Sequence, residues 1–306
     1  MKPVIAIHGG AGVIIPGQMS AEKEQAFHHA MRKILEAGYS VLNRNGSALD
    51  AVQAAVVVME DDELFNAGKG AVLTADEICE TDAAIMDGHT LRAGAVAGLR
   101  TVKNPVILAR AVMNHTPHVM LSGEGAEQFA RKMGMEHMPP EYFITPFRKE
   151  QLMRVKGTDH TMLDHQPDDK KFGTVGAVAL DVNGHLAAAT STGGMTNKKW
   201  GRVGDSPVIG AGTYADADVA VSCTGHGEYY IKNVVAFRIA AMMKYGGFSL
   251  EKAANEIVHE LLKGQGAEGG LIAVDASGNI VLPFNTPGMY RGFVDADGNI
   301  HTAIYR

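Results

Sequence analysis

Five threonines stand in or beside glycine-rich segments of this chain: Thr174 in "GTVG", Thr190, Thr192 and Thr196 in "TSTGGMT", and Thr224 in "CTGHGE". β propensity accounts for a threonine such as Thr190 inside a strand. It does not account for Thr174, which follows a Gly at the point where a charged, loop-like stretch meets an apolar strand. A threonine hydroxyl is a weak nucleophile unless a base stands beside it, and one such base is the residue's own α-amine. A free α-amine titrates at about 7.7–8.0, near working pH, which suits a general base. Position 174 acquires one only if the Gly173–Thr174 bond is cut. Glycine tolerates the strained backbone that self-cleavage needs.

Other motifs read more plainly. "HGGAG" follows a strand and offers Gly10 and Gly12 as a GxG, but Ile15 stands at the third glycine position of a dinucleotide fingerprint, so a tight functional turn is expected there. "FNAGKG" has Glu63 where a phosphate loop needs its first glycine, and "VHELLK" has Lys263 where a zinc protease needs its second histidine. "DADG" at 295–298 fits a hairpin turn better than a calcium loop. The two SxxK motifs begin at Ser20 and Ser249, both opening predicted helices, where serine is a common cap; KTG and SDN are missing, as is GxSxG.

The frame is that of a soluble enzyme. The 306 residues are 46% hydrophobic and 20% charged, with a net charge of −6 and no basic run, which argues against a nucleic-acid partner. No apolar run reaches membrane-spanning length, and the four apolar residues before His8 are too few for a signal peptide. Cys79 and Cys223 match no zinc or disulfide spacing, so a cytoplasmic enzyme is expected.

The elements that must position the threonines are legible in outline. "PVIAI" reads as a buried strand; apolar spacing predicts helices over 20–43, from Ser47 to about Met59, and over most of 105–137. Residues 143–171 have many charges and no sustained apolar periodicity, which predicts a solvated tether. Beyond it the pattern changes to hairpins: "TVGAVAL" and "LAAATST" around "DVNG", "LIAVD" and "IVLPF" around "ASGN", and "GFVDADGNIHTAI". Helices at about 228–245 and 250–263 fall between the first two hairpins, so a layered α+β domain is expected.

With these pieces in order, the chain resembles the plant-type L-asparaginase/isoaspartyl peptidase family of N-terminal-nucleophile hydrolases. The resemblance is carried by "HGGAG", "LFNAGKGAV", "DAAIMDG", "GAVAGL", "GTVGAVALD", "AAATSTGGMTNK", "GRVGDSP", "GAGTYA", "CTGHGE" and "PFNTPGMYR". Together they span nearly the whole chain, lapsing only in the tether. The resemblance implies a single domain with a four-layer αββα sandwich, made as a precursor. Self-cleavage would yield an α chain, 1–173, and a β chain, 174–306, assembled as an (αβ)₂ dimer of heterodimers.

Matched by motif, Thr174 is implied as nucleophile and Thr192 as the hydroxyl that orients it. Thr224 and Gly225 are implied as the oxyanion hole. Arg202 would hold a substrate α-carboxylate and Asp205 its α-ammonium, with Val203, Gly204, His226, Gly227 and Asn66 completing the pocket. The resemblance implies L-asparagine and β-aspartyl dipeptides as substrates, no catalytic cofactor, and no nucleic-acid or membrane partner. It also implies a structural sodium or potassium ion held by backbone carbonyls of Met59, Glu60, Asp62, Phe65, Ala67 and Lys69. Two readings compete: an uncleaved, catalytically silent binding protein that keeps the pocket, and a glycosylasparaginase-like amidase.

Overall fold

Alternation of residues along the strands decides the architecture. In the computed structural model, which describes residues 1–158 and 173–306, the chain runs β1 (Val4–Gly12), α1 (Ala21–Asn43), α2 (Ala48–Glu60), β2 (Thr81–Asp87), β3 (Ala93–Leu99), α3 (Pro105–His115), β4 (Met120–Ser122), α4 (Gly123–Lys132), α5 (Pro140–Phe143) and α6 (Pro146–Val155). It resumes with β5 (Val175–Leu180), β6 (Leu186–Thr192), β7 (Thr213–Ala215), β8 (Val219–Gly225), α7 (Gly227–Asn233), α8 (Val235–Gly246) and α9 (Leu250–Asn255). The last of these continues as a π-helical stretch over Glu256–Leu262. Then come β9 (Gly269–Asp275), β10 (Ile280–Val281), β11 (Gly288–Val294) and β12 (Ile300–Tyr305).

Among the described residues these strands form two sheets, ordered β12-β11-β1-β5-β6-β2-β3-β4 and β10-β9-β8-β7. Every pairing is antiparallel except β3 with β4. Ile5 and Ile7 of β1, with Val175, Ala177 and Ala179 of β5, pack against Phe27, Ile34, Val52 and Val56 of α1 and α2. The alternate residues Val4, Ala6, Val178 and Leu180 face the other way, against Ala220, Ile272 and Val274 of the second sheet. Val219, Val221 and Cys223 then turn outward onto Ile239, Ala240, Leu250 and Val258. Three apolar layers therefore separate helices, sheet, sheet and helices: the αββα sandwich expected from the sequence.

The three hairpins share one turn chemistry. Asp181, Asp275 and Asp295 each accept the backbone N–H groups two and four residues on, at 2.9–3.1 Å. Gly184, Gly278 and Gly298, three residues on, take φ of 81–83°, the left-handed region glycine enters at no steric cost. Ser20 and Ser249 are helix caps, accepting the N–H of Lys23 and Lys252 at 3.3 Å.

Two stretches differ from the sequence expectation. Within 105–137 the helix is interrupted after His115, and the three residues of β4 form an edge strand before α4. The expected tether at 143–171 is not solvated throughout. Thr145 caps α6, which buries Arg148, Gln151, Leu152 and Val155. Those positions have helical spacing, but two of the four are polar, so the apolar period that would have marked the helix is missing. Arg148 donates from Nε to the Gly70 carbonyl at 2.7 Å and from Nη1 to Gln151 at 3.0 Å. The remainder of that segment, 159–172, lies outside the described residues.

Candidate active site

Thr174 precedes β5 and keeps the parity of Gly176 and Val178, so its side chain points between the sheets. The β5–β6 register pairs Val175 with Ser191 and Gly176 with Thr190, which sets Thr174 opposite Thr192. Across the gap, Ser222 and Thr224 take the inward parity of β8. The hydroxyls of these distant segments therefore meet because of strand alternation alone.

The contacts follow. Thr174 Oγ1 donates to Thr192 Oγ1 at 3.2 Å and stands 3.2 Å from Ser206 Oγ. Thr192 Oγ1 also accepts the Gly194 N–H at 2.9 Å, which holds it in place. The Thr174 carbonyl accepts from His8 Nδ1 at 3.1 Å, and His8 Nε2 stands 2.9 Å from Ser222 Oγ. Burial drives the His8 pKa down to about 3, so its ring is neutral at any working pH. Gly173, Thr174, Thr192, Gly194, Arg202, Gly204, Asp205, Ser206 and Gly225 line one cleft. Thr224 reaches the same place: a Cβ on Gly173 would lie 3.0 Å from its Oγ1.

Among the described residues, the buried atoms Thr224 Oγ1 and Asp205 Oδ2 have no hydrogen-bond partner. Orphaned buried polar atoms cost stability, and at the wall of a cleft they mark where a ligand's polar groups belong. Desolvation lifts the Asp205 pKa to about 7, against the pull of Arg202. Close packing on both sides requires glycine: a Cβ on Gly212 would lie 2.8 Å from Asp205 Oδ2, and one on Gly227 2.8 Å from Arg202 Nη2.

Arg202 does not pair with Asp205. Its Nε and Nη2 form a two-pronged bond to Glu228 at 2.9 and 3.0 Å. Burial raises the Glu228 pKa, but the Arg202 bonds and charge outweigh that, and the net shift is downward. The fork leaves Nη1 toward the cleft side, 3.6 Å from where a Gly194 Cβ would stand. Val203 is exposed beside it, and His226 precedes α7, its pKa lowered by burial.

Asn66 is fully buried and spends its amide on the chain: Nδ2 donates to Gly194 O and Oδ1 accepts from Val72 N, both at 2.9 Å. It shapes the loop that lines the cleft. Glu60, in the expected cation loop, accepts from Ser191 Oγ at 2.7 Å and Val106 N at 3.0 Å through Oε1, and desolvation raises its pKa to about 8. It thereby ties that loop to the strand carrying Thr192. The loop is wound tightly: Cβ atoms on Gly68 and Gly70 would fall 2.2 Å from Glu60 O and 2.1 Å from Phe65 O. Asp62 and Ala67 carbonyls each accept one backbone N–H from the neighbouring turns, while the Met59 carbonyl faces the N–H groups of both Asp61 and Asp62.

Sequence reasoning missed His8, Ser206, Ser222 and Glu228. The alternation in "VAVSCTG" was the available signal for Ser222, because it shares the inward face with Thr224.

The sequence is similar to known proteins over its whole length. A family model described as asparaginase matches residues 1–304. An isoaspartyl peptidase of Escherichia coli is 55% identical, over all of this chain and 97% of its own length. A human isoaspartyl peptidase/L-asparaginase is 42% identical over 99% of this chain and 96% of its own. A probable isoaspartyl peptidase/L-asparaginase of Arabidopsis thaliana is 41% identical over 98% of both. The chain belongs to the plant-type asparaginase/isoaspartyl peptidase family of N-terminal-nucleophile hydrolases.

Proposed function

We propose that this protein is a self-processing amidohydrolase that cleaves β-aspartyl dipeptides and L-asparagine with Thr174 as nucleophile. The observation that carries the reading is the Thr174 hydroxyl, held by Thr192 and Ser206 in the cleft that also contains Gly173, Arg202 and Asp205. Maturation starts when Thr174 Oγ attacks the Gly173 carbonyl. The C–N bond breaks as nitrogen takes the hydroxyl proton, leaving an ester and a free α-amine. Water hydrolyses the ester, giving the Gly173 carboxylate and restoring the hydroxyl.

In turnover the new α-amine accepts the hydroxyl proton as Oγ attacks the substrate's β-carbonyl. The Thr224 hydroxyl and the Gly225 N–H stabilise the oxyanion that forms. The leaving nitrogen departs with the proton, and water frees aspartate from the acyl-enzyme. Asp205 takes the substrate α-ammonium, and Arg202 offers Nη1 to the α-carboxylate while Glu228 holds its other edge. Val203, Gly204, His226 and Gly227 complete this side of the pocket.

Asparagine and a β-aspartyl dipeptide are both side-chain amides of aspartate with free α-amine and α-carboxylate, so one grip serves both. An α-linked dipeptide does not present that pair and would leave buried charges unpartnered.

In this reading the Met59, Glu60, Asp62, Phe65, Ala67 and Lys69 carbonyls would hold a sodium or potassium ion. The tight winding at Gly68 and Gly70 supports that assignment, and the ion would supply rigidity rather than chemistry. The mature protein would associate as (αβ)₂. A cytoplasmic location is in keeping with two buried, unpaired thiols, Cys79 and Cys223. Among the described residues no helix is long and apolar enough to cross a membrane.

Purified protein should release ammonia from L-asparagine and leucine from β-aspartyl-leucine, and leave α-aspartyl-leucine intact. Hydrolysis of the α-linked peptide, or of neither β-amide, would overturn the reading.

A further inference from the structure

A line of buried polar side chains leads away from the nucleophile and crosses between the two sheets. His8 Nδ1 bonds the Thr174 carbonyl at 3.1 Å, and its Nε2 bonds Ser222 Oγ at 2.9 Å. Ser222 Oγ is 2.7 Å from Thr190 Oγ1, which is 2.6 Å from Thr213 Oγ1. Thr213 Oγ1 also contacts the Ser206 carbonyl at 2.9 Å, and Ser206 Oγ returns to Thr174 Oγ1. His8, Thr190, Thr213 and Ser222 are all fully buried.

The proton directions are forced. The His8 ring is neutral, so it carries one N–H. A carbonyl can only accept, so that hydrogen is on Nδ1. Nε2 is then an acceptor, and the Ser222 proton points at it. Ser222 has only lone pairs left for Thr190, which must donate. One carbonyl thus fixes three side chains. The sequence is shaped to allow it, because a Cβ on Gly176 would lie 2.0 Å from Ser222 Oγ and 2.6 Å from His8 Nε2. That contact gives the second glycine of "GTVG" a reason.

We propose that His8 is a positioning residue: its Nδ1–H, with the ring held at Nε2 by Ser222, clamps the carbonyl of Thr174 and so aims the hydroxyl and the α-amine of the same residue. The proposal rests on Thr174 being the nucleophile. After cleavage residue 174 is a chain end, and ends fray unless tied down. Its hydroxyl is held by Thr192 and Ser206, which fixes one side chain only. The carbonyl clamp fixes the backbone from which both reacting groups project. A misplacement on the order of 1 Å at such a group costs about 10²-fold in rate.

The test uses the cleaved wild-type protein with His8→Ala, His8→Asn and Ser222→Ala. Asparagine places an N–H where Nδ1 stood but cannot reach Ser222. In His8→Ala, kcat should fall by about 10–10²-fold with KM nearly unchanged. His8→Asn should recover most of kcat, and Ser222→Ala, which removes the hold on Nε2 and keeps the ring, should fall between. A raised KM with normal kcat, or His8→Asn as slow as His8→Ala at equal thermal stability, would overturn the proposal. Should His8→Ala not fold, ¹⁵N NMR of the wild-type ring decides alone: a neutral, Nδ1-protonated His8 from pH 5 to 8 is expected. An Nε2-protonated ring, or titration in that range, would sink the idea. Thr174→Ala, run alongside, tests the nucleophile separately, since its retained activity would refute that reading whatever His8 does.

Discussion

The two ends of the layer between the sheets are built on the same strands, the same faces and the same alternation, yet they differ in kind. At one end Val4, Ala6, Val178, Leu180, Leu186 and Ala188 meet Ala220 and Val274 in an apolar seam. A few residues along, the inward positions become His8, Thr174, Thr190, Thr192, Ser222 and Thr224, all nearly or fully buried. The apolar end gains from losing contact with water. The polar end must answer its donors and acceptors, and where, among the described residues, Thr224 Oγ1 and Asp205 Oδ2 are left without partners, it opens onto the cleft. Stability and chemistry are thus separated along one layer rather than assigned to different domains.

That contrast can be broken at either end. Leu186→Ala at the apolar end should reduce unfolding free energy by about 2–5 kcal/mol, with kcat of the folded protein unchanged. Denaturant unfolding and turnover on the same sample check both halves. Thr224→Ala should do the reverse. On the proposed reading, one oxyanion donor is lost and kcat falls by about 10²–10³-fold, while stability stays within about 1 kcal/mol or rises, because an unpartnered hydroxyl has been removed. If Thr224→Ala raises KM and spares kcat, Thr224 binds substrate instead.

A smaller effect concerns pH. Asp205 is raised to about 7 by burial, so below that pH it is neutral and cannot attract the substrate ammonium. The Thr174 α-amine must also be unprotonated to act, so both groups lose function as pH falls. Well below pH 7, log kcat/KM should drop by about two per pH unit, and by about one in Asp205→Asn. Equal slopes in the two proteins would remove Asp205 from substrate binding.

Much of this was readable from local chemistry. Each hairpin turn has its aspartate and its glycine three residues apart, and the serine caps precede their helices directly. Thr174 stood out because a glycine and a charged stretch preceded it. What local chemistry does not carry is convergence. His8 meets Ser222 across 214 positions, and Arg202 meets Glu228 across 26. "HGGAG" reads in isolation as a tight turn, yet it is the second half of β1 (Val4–Gly12), and its histidine acquires a partner only when β1 lies beside β5. The α6 helix was missed for another reason: Arg148 and Gln151 occupy its buried face, and a buried cation gives no apolar period.

The central claim is that Thr174 becomes a chain terminus and works as one. Purified protein, incubated without any added protease, should separate into two chains under denaturing conditions. N-terminal sequencing of the shorter chain should begin Thr-Val-Gly-Ala, with activity rising as the intact chain disappears, while Thr174→Ala stays in one piece and is inert. Full activity in an uncut chain, or a shorter fragment that begins at any other residue, would contradict it.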